Sequence, residues 1–273
     1  MKGCAPLFQS LNYRLSILVV LGLALMAVNL NGQEKSGSTD WMPLFNHRDL
    51  EGWIPKFRGC PLGENYKNTF QVKDGLLVVN YDEYDNGFDQ RFGHLFYKKK
   101  FSHYLLKVQY RFVGDQVAGG PGWAFRNSGV MLHSQKPESM TLDQEFPVSV
   151  EMQMLGGDGT NARSNANVCT PGTHIEMSGK LIKAHCRSST SETYHGDQWV
   201  TILVEVRGDE IIRHKIDDQV VLEYQKPQLD PGSEDAKRVI VDGKLSLKEG
   251  YLALQAESHP LEFASIEIKV LDP

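Results

Sequence analysis

The strongest constraint on this chain is a two-residue alternation of apolar and polar side chains in short segments. Nowhere does a sustained helical period of about 3.6 residues replace it. In an extended chain, neighbouring side chains point to opposite faces of a sheet. From Leu105 to Val113 this sends Leu106, Val108, Tyr110 and Phe112 inward and Lys107, Gln109 and Arg111 outward. From Val148 to Met154 it puts Val148, Val150, Met152 and Met154 on one face and Ser149, Glu151 and Gln153 on the other. Phe70 to Val79 reads as a hairpin turning at Asp74-Gly75. Trp199–Arg207, Glu210–Ile216 and Val220–Tyr224 read as a meander, and Gly250–Glu257 and Glu262–Leu271 as closing strands. Short strands with turns every 8–12 residues or so predict an all-β sandwich of two antiparallel sheets, in one domain over 41–273.

Between these strands lie irregular stretches. Residues 82–91 form an acidic loop in which Asp82, Glu83, Asp85 and Asp89 could hold calcium, although the fixed spacing of a calcium loop is missing; a solvated loop is the other reading. Residues 157–198 have no clear period and many Gly, Asn, Ser and Thr. So long an excursion is expected to be functional or braced by a disulfide. Residues 226–242, with Pro227 and Pro231, read as a loop.

Residues 1–32 have the pattern of a secretory signal: Lys2 and Arg14, then a 14-residue, mostly apolar run from Leu15 to Val28, then small and turn-forming residues. The run is short for a spanning helix, so export without stable membrane insertion is expected, with an uncleaved anchor as the alternative. Residues 33–40 read as a polar linker. An exported chain lets cysteines pair. Cys169 and Cys186 enclose a loop whose closure contributes about 3 kcal/mol in the chain-entropy model. They are the expected disulfide, with Cys60 free; three reduced, buried thiols are the alternative. The net charge of −5 and the lack of a long basic run argue against nucleic acid or an anionic membrane surface as partner.

No phosphate-binding glycine loop, zinc-protease helix or strand-elbow serine is present. His133, His174, His185 and His195 could converge only through the fold. The chemistry that remains is on the strands Arg126–His133 and Val148–Met154. There the polar row Ser149, Glu151, Gln153, followed by Gly156-Gly157-Asp158-Gly159, offers hydrogen-bonding groups suited to a sugar. The plainer reading is that Glu151 and Gln153 face water. A hydrolase using two carboxylates needs a second acid, which the row lacks; Asp158 or Glu257 could supply it.

Several motifs, in order, resemble one family. They are Leu44-Phe45-Asn46 with Asp49-Leu50 and Gly52-Trp53; Phe70 to Leu77; Asn127-Ser128-Gly129-Val130; Glu151-Met152-Gln153-Met154; and Gly250 to Glu257. Over nearly all of 41–271 the chain resembles the 3-keto-disaccharide hydrolase (3-keto-glucoside lyase/hydratase) domain. The resemblance implies a concanavalin-like jelly-roll sandwich, export to the bacterial envelope and a carbohydrate substrate. It also implies a reaction with one main base: removal of the C2 proton of a 3-keto-glycoside, loss of the C1 substituent, then hydration. Glu151 is the expected base. Arg126, Asn127 and Gln153 are expected to bind hydroxyls or the enolate oxygen, with Asp158, Gln255 and Glu257 completing the site. A divalent metal is a further expectation, with ligands unassigned. A non-catalytic carbohydrate-binding module and a two-carboxylate glycosidase are the alternatives. The family often ends in Phe-Arg-Asn-Ile where this chain has Phe263-Ala264-Ser265-Ile266.

Overall fold

The computed structural model describes residues 40–273. The signal and most of the linker expected at 1–40 lie outside the described residues. The early strands are β1 (Met42–Pro43), β2 (Trp53–Phe57), β3 (Phe70–Lys73), β4 (Leu76–Val79), β5 (Gly93–Phe101) and β6 (His103–Phe112). The middle ones are β7 (Asn127–Ser134), β8 (Val150–Leu155), β9 (Asn167–Cys169), β10 (Thr173–Met177), β11 (Lys180–Ile182) and β12 (Cys186–Arg187). The last are β13 (Val200–Arg207), β14 (Ile211–Ile216), β15 (Gln219–Leu229), β16 (Gly250–Ala256) and β17 (Leu261–Val270).

They form two antiparallel sheets, a jelly-roll sandwich. One runs β11-β10-β15-β14-β13-β6-β17-β4-β3, with β1 on β17; the other runs β12-β9-β8-β7-β16-β5-β2. The alternation sets which residues fill the space between them. Leu106, Val108, Val130, Leu132, Val150, Met152, Met154, Val204, Leu252 and Leu254 all belong to one buried cluster. Each fully buried side chain of this size contributes about 1.5–3 kcal/mol. Val148 instead joins a satellite cluster with Leu229 and Ala236. The hairpin turns at Asp74 and Gly75, both at positive φ (52° and 77°), as a tight two-residue loop requires. The larger sheet's outer face carries ion pairs such as Lys107–Glu267 and Arg111–Glu262.

Three segments differ from the sequence reading. Gly93–Phe101 forms β5, although its buried half is followed by Lys98-Lys99-Lys100, which masks the alternation. Residues 157–198 are not a plain excursion: β9 and β12 extend the smaller sheet while β10 and β11 extend the larger one. Strand β15 runs on to Leu229 through Pro227, and a short helix, α1 (Glu234–Lys237), follows. Pro227 is tolerated because it lacks only a donor, and its carbonyl accepts from Leu247.

Candidate active site

The second face of the smaller sheet carries the polar residues, and much of it is covered: Asn127, Glu151, Gln255 and Glu257 are all buried. Pairing across β5, β16, β7, β8, β9 and β12 fixes one row: Phe96, Ala253, Met131, Glu151, Cys169, Cys186. Met140, from the segment joining β7 and β8, packs on Phe96, Met131 and Ala253 and anchors the roof. The space left is a cavity of about 350 Å³ whose walls include Trp123, Asn127, Phe146, Glu151, Gln153, Arg163, His185 and Glu257.

Two carboxyls far apart in sequence face it, Glu151 on β8 and Glu257 just past the end of β16. Glu151 is 6% exposed and Glu257 3%, so the reading of Glu151 as a solvent-facing residue does not hold. Gly129 makes this possible. A Cβ at Gly129 would lie 2.5 Å from Glu151 Oε1 and 2.7 Å from its Cγ, so the glycine provides the space in which the carboxyl lies. Burial pushes Glu151 up to about 8. Glu257 is also raised, by burial first and then by the Glu151 charge, with Arg163 opposing. Glu257 Oε2 has no hydrogen-bond partner. Its position is set by the next residue: Ser258 sits at φ +94°, a strained value for a non-glycine. The Tyr81 hydroxyl accepts from the Ser258 N–H at 2.8 Å, and Gln116 donates to Ser258 Oγ at 2.8 Å.

Arg163 is the cavity's cation. It donates to the carbonyls of Phe125, Gly156 (2.9 Å) and Trp123 (3.2 Å), which ties the corners leading into β7 and out of β8 together. Among the described residues it has no ion-pair partner, so its charge is available to the cavity. Trp123, 54% exposed, stacks on Phe92 (5.9 Å, 10°), and Phe146 packs on Phe92 at 5.0 Å. Together they give an aromatic wall of the kind on which the C–H face of a sugar rests.

Of the residues expected from sequence, Glu151, Asn127, Gln153 and Glu257 converge on the cavity. Asn127 donates to the Trp123 carbonyl at 3.4 Å, and Gln153 accepts from Asn167 at 3.4 Å. Arg126 does not line the cavity: at φ +42° its side chain is turned to the Gly196 carbonyl (2.6 Å) and Asp197 (2.7 Å). Asp158 is exposed and caps its own turn through the N–H groups of Thr160 and Asn161, which holds its pKa low. Gln255 lies beneath the cavity, fully buried beside its register partner His94; both side chains lack hydrogen-bond partners. Nor are Gly156 and Gly157 flexible. They are close-approach points, where a Cβ would meet Phe112 at 2.9 Å and the His195 ring at 2.2 Å. Arg163, Trp123 and Phe146 were missed, and His185 was named only among histidines that could converge. Their only signal was the length of the 157–198 excursion for Arg163 and His185, and loop aromatics for the other two.

The four histidines do not gather. His133 bonds the Gly208 carbonyl, His174 pairs with Asp230, and His195 accepts from the Gly159 N–H, while His185 is at the cavity. In the 82–91 loop, Asp85 pairs with Lys67, and Asp82 accepts from Asn80. Cys169 and Cys186 form the disulfide, and Cys60 is free and buried. Among the described residues, one group of three metal-ligating side chains comes together, Cys169, His185 and Cys186. Its sulfurs are tied in the disulfide and offer no thiolate, so with the disulfide formed this donor set does not fit a divalent ion for the reaction. The departure at Ala264-Ser265 falls on a bulge of β17 in the other sheet, away from the cavity.

A family model described as the 3-keto-alpha-glucoside-1,2-lyase-like domain matches residues 40–269. Solved structures similar in fold include two Parabacteroides distasonis ATCC 8503 proteins provisionally described as glycosyl hydrolases. One is 16% identical with a TM-score of 0.49, over 85% of this chain and 100% of that chain. The other is 20% identical with a TM-score of 0.48, over 85% and 94%. A Bacillus licheniformis beta-glucanase is 10% identical with a TM-score of 0.46, over 88% and 100%. No curated protein matches the chain.

Proposed function

The chain belongs to the 3-keto-alpha-glucoside-1,2-lyase-like domain family, and from that membership we propose that it cleaves 3-keto-glycosides by elimination followed by hydration, as an exported enzyme. The observation that carries the reading is the pair of buried carboxyls, Glu151 and Glu257, facing one aromatic-walled cavity beside Arg163.

The ketone at C3 acidifies the C2 proton. Ionised Glu151 takes that proton, and the electrons pass into the C2–C3 enolate, whose oxygen Arg163 or Asn127 stabilises. The C1–O bond then breaks, and the leaving oxygen takes a proton from Glu257, giving the unsaturated keto sugar. In the second half, Glu257 removes a proton from water as the water adds to C1, and Glu151 returns its proton to C2. The pair is thereby reset. A raised pKa on both carboxyls suits this exchange of protons.

The two-carboxylate glycosidase is the second reading, because Glu257 shares the cavity with Glu151. Both readings need one ionised and one protonated carboxyl, so the raised pKa values do not choose between them; the family membership favours elimination. Product analysis separates the two. A 3-keto-disaccharide and its unoxidised parent are offered to wild type and Glu151→Gln, with and without chelator. Elimination expects cleavage of the keto sugar alone, abolished in Glu151→Gln. Cleavage of the parent sugar would select the glycosidase. Binding of both sugars without turnover would leave a carbohydrate-binding module.

A further inference from the structure

The one three-ligand cluster among the described residues lies in the wall of the cavity, and the reaction proposed above does not use it. Cys169 and Cys186 are paired across β9 and β12, His185 precedes Cys186, and the ligand atoms of all three lie within 4.8 Å of one another. All three line the cavity, and Cys169 is the register partner of Glu151 on β8. We propose that the disulfide and a soft-metal site are two alternative states of these residues: on reduction, Cys169, Cys186 and His185 bind a thiophilic divalent cation such as Zn²⁺.

The chemistry follows from the donor set. A dithiol reductant converts the disulfide to two thiols and is itself oxidised to its disulfide. Metal binding then releases the two thiol protons and leaves two thiolates and one imidazole on the ion, a combination preferred by Zn²⁺ and Co²⁺ over Mg²⁺ or Ca²⁺. The cavity that all three residues line would give the ion its entry path and room for a fourth ligand. A tetrahedral ion with metal–sulfur bonds of about 2.3 Å needs the sulfurs about 3.8 Å apart, and the exposed side of Cys186 leaves its side chain free of packing that would oppose the move.

The scaffold does not depend on the S–S bond to keep these residues side by side. The Thr170 N–H and hydroxyl both donate to the His185 carbonyl, at 2.8 and 3.1 Å, and Arg187 pairs with Val168. Just beyond, Asn167 Oδ1 accepts from the Ser189 N–H at 2.8 Å. These contacts do not involve the sulfurs, so the proposal expects the strand carrying His185 and Cys186 to stay beside β9 on reduction.

The test is a Co²⁺ titration of the full chain with Cys4 and Cys60 replaced by alanine, in oxidised and reduced forms. It is followed by thiolate-to-metal absorption and by displacement with Zn²⁺. The expected result is one Co²⁺ per reduced chain, none on the oxidised chain, and an affinity in His185→Ala lower by more than the roughly 10–100-fold that loss of a mere supporting partner costs. Alkylating the two thiols of the reduced, folded protein should abolish the bands, which tests the ligands without relying on a variant that folds poorly. Equal binding by the oxidised or alkylated protein, or a reduced protein without thiolate bands, overturns the proposal.

Discussion

At the scale of single residues, the site is made by what surrounds two carboxyls rather than by the carboxyls alone. The Glu151 side chain ordinarily titrates near 4.5 and is pushed up to about 8 by burial. A carboxyl whose folded pKa is raised contributes stability that is complete below about pH 4.5 and is lost as pH rises through about 8. Its activity as a base has the opposite sign, since only the ionised form accepts a proton. We expect kcat/KM on a 3-keto-glycoside to climb through a limb well above an ordinary carboxylate pKa, while the urea midpoint falls as pH rises from about 6.5 to about 8. Glu151→Gln should lose the activity and flatten that fall. A kinetic limb near 4.5 would contradict the assignment. Gly129 belongs to the same scale. Gly129→Ala puts a methyl where Glu151 Oε1 lies, 2.5 Å away. It should reduce kcat/KM by about 100-fold through misplacement of the base by about an ångström. Steady-state kinetics together with a melting curve would check this; unchanged kinetics would show that the carboxyl does not need that space. Glu151 and Gly129 were both legible, one as the acid on a polar strand face and the other within a motif. That the glycine exists for the carboxyl was not, because their contact crosses from β7 to β8.

At the scale of elements, β9 and β12 turn what looked like a loop into a wall. The disulfide joins them across a short pairing, and Arg163 ties the neighbouring corners. Replacing Cys169 and Cys186 together by alanine should cost about 3 kcal/mol of unfolding free energy. Chemical denaturation with the m-value compared would measure it. A loss near zero would mean that the disulfide does not measurably constrain the unfolded chain. The cysteine pair could be read from spacing and from the signal-like pattern at the start of the sequence. The strands around it could not, since each is only two or three residues long and leaves no period to detect. Arg126 shows the same limit from the other side. It stands next to the right motif, yet its backbone at φ +42° turns it toward Asp197, while Arg163, on no strand at all, reaches the cavity.

At the scale of the whole molecule, burial of ionisable groups sets a stability optimum. His94 is depressed to about 3, and His214 and His259 to about 4, all by burial. The stability they contribute is present above their ordinary 6.5 and is lost as pH falls toward those values. Between about 4.5 and 6.5 these three histidines oppose the two raised carboxyls and outnumber them; above 6.5 the carboxyls act alone. Glu205, held down to about 2 chiefly by its hydrogen bond from Lys215, contributes stability that is lost only as pH falls below about 4.5. The urea midpoint is therefore expected to peak near pH 6.5 or so. A midpoint that rises steadily to pH 9 would contradict the buried pair. The sequence by itself determined the sheet faces, most turns, the cysteine pair and one acid of the site, because alternation, turn chemistry and spacing are properties of neighbouring residues. Only the tertiary structure decided that Glu257 meets Glu151, that Arg163 replaces Arg126, and that the polar face is roofed by Trp123 and Phe146. Those facts depend on register between strands about a hundred residues apart and on water being excluded by all of them together, and neither is a property of any local stretch of chain.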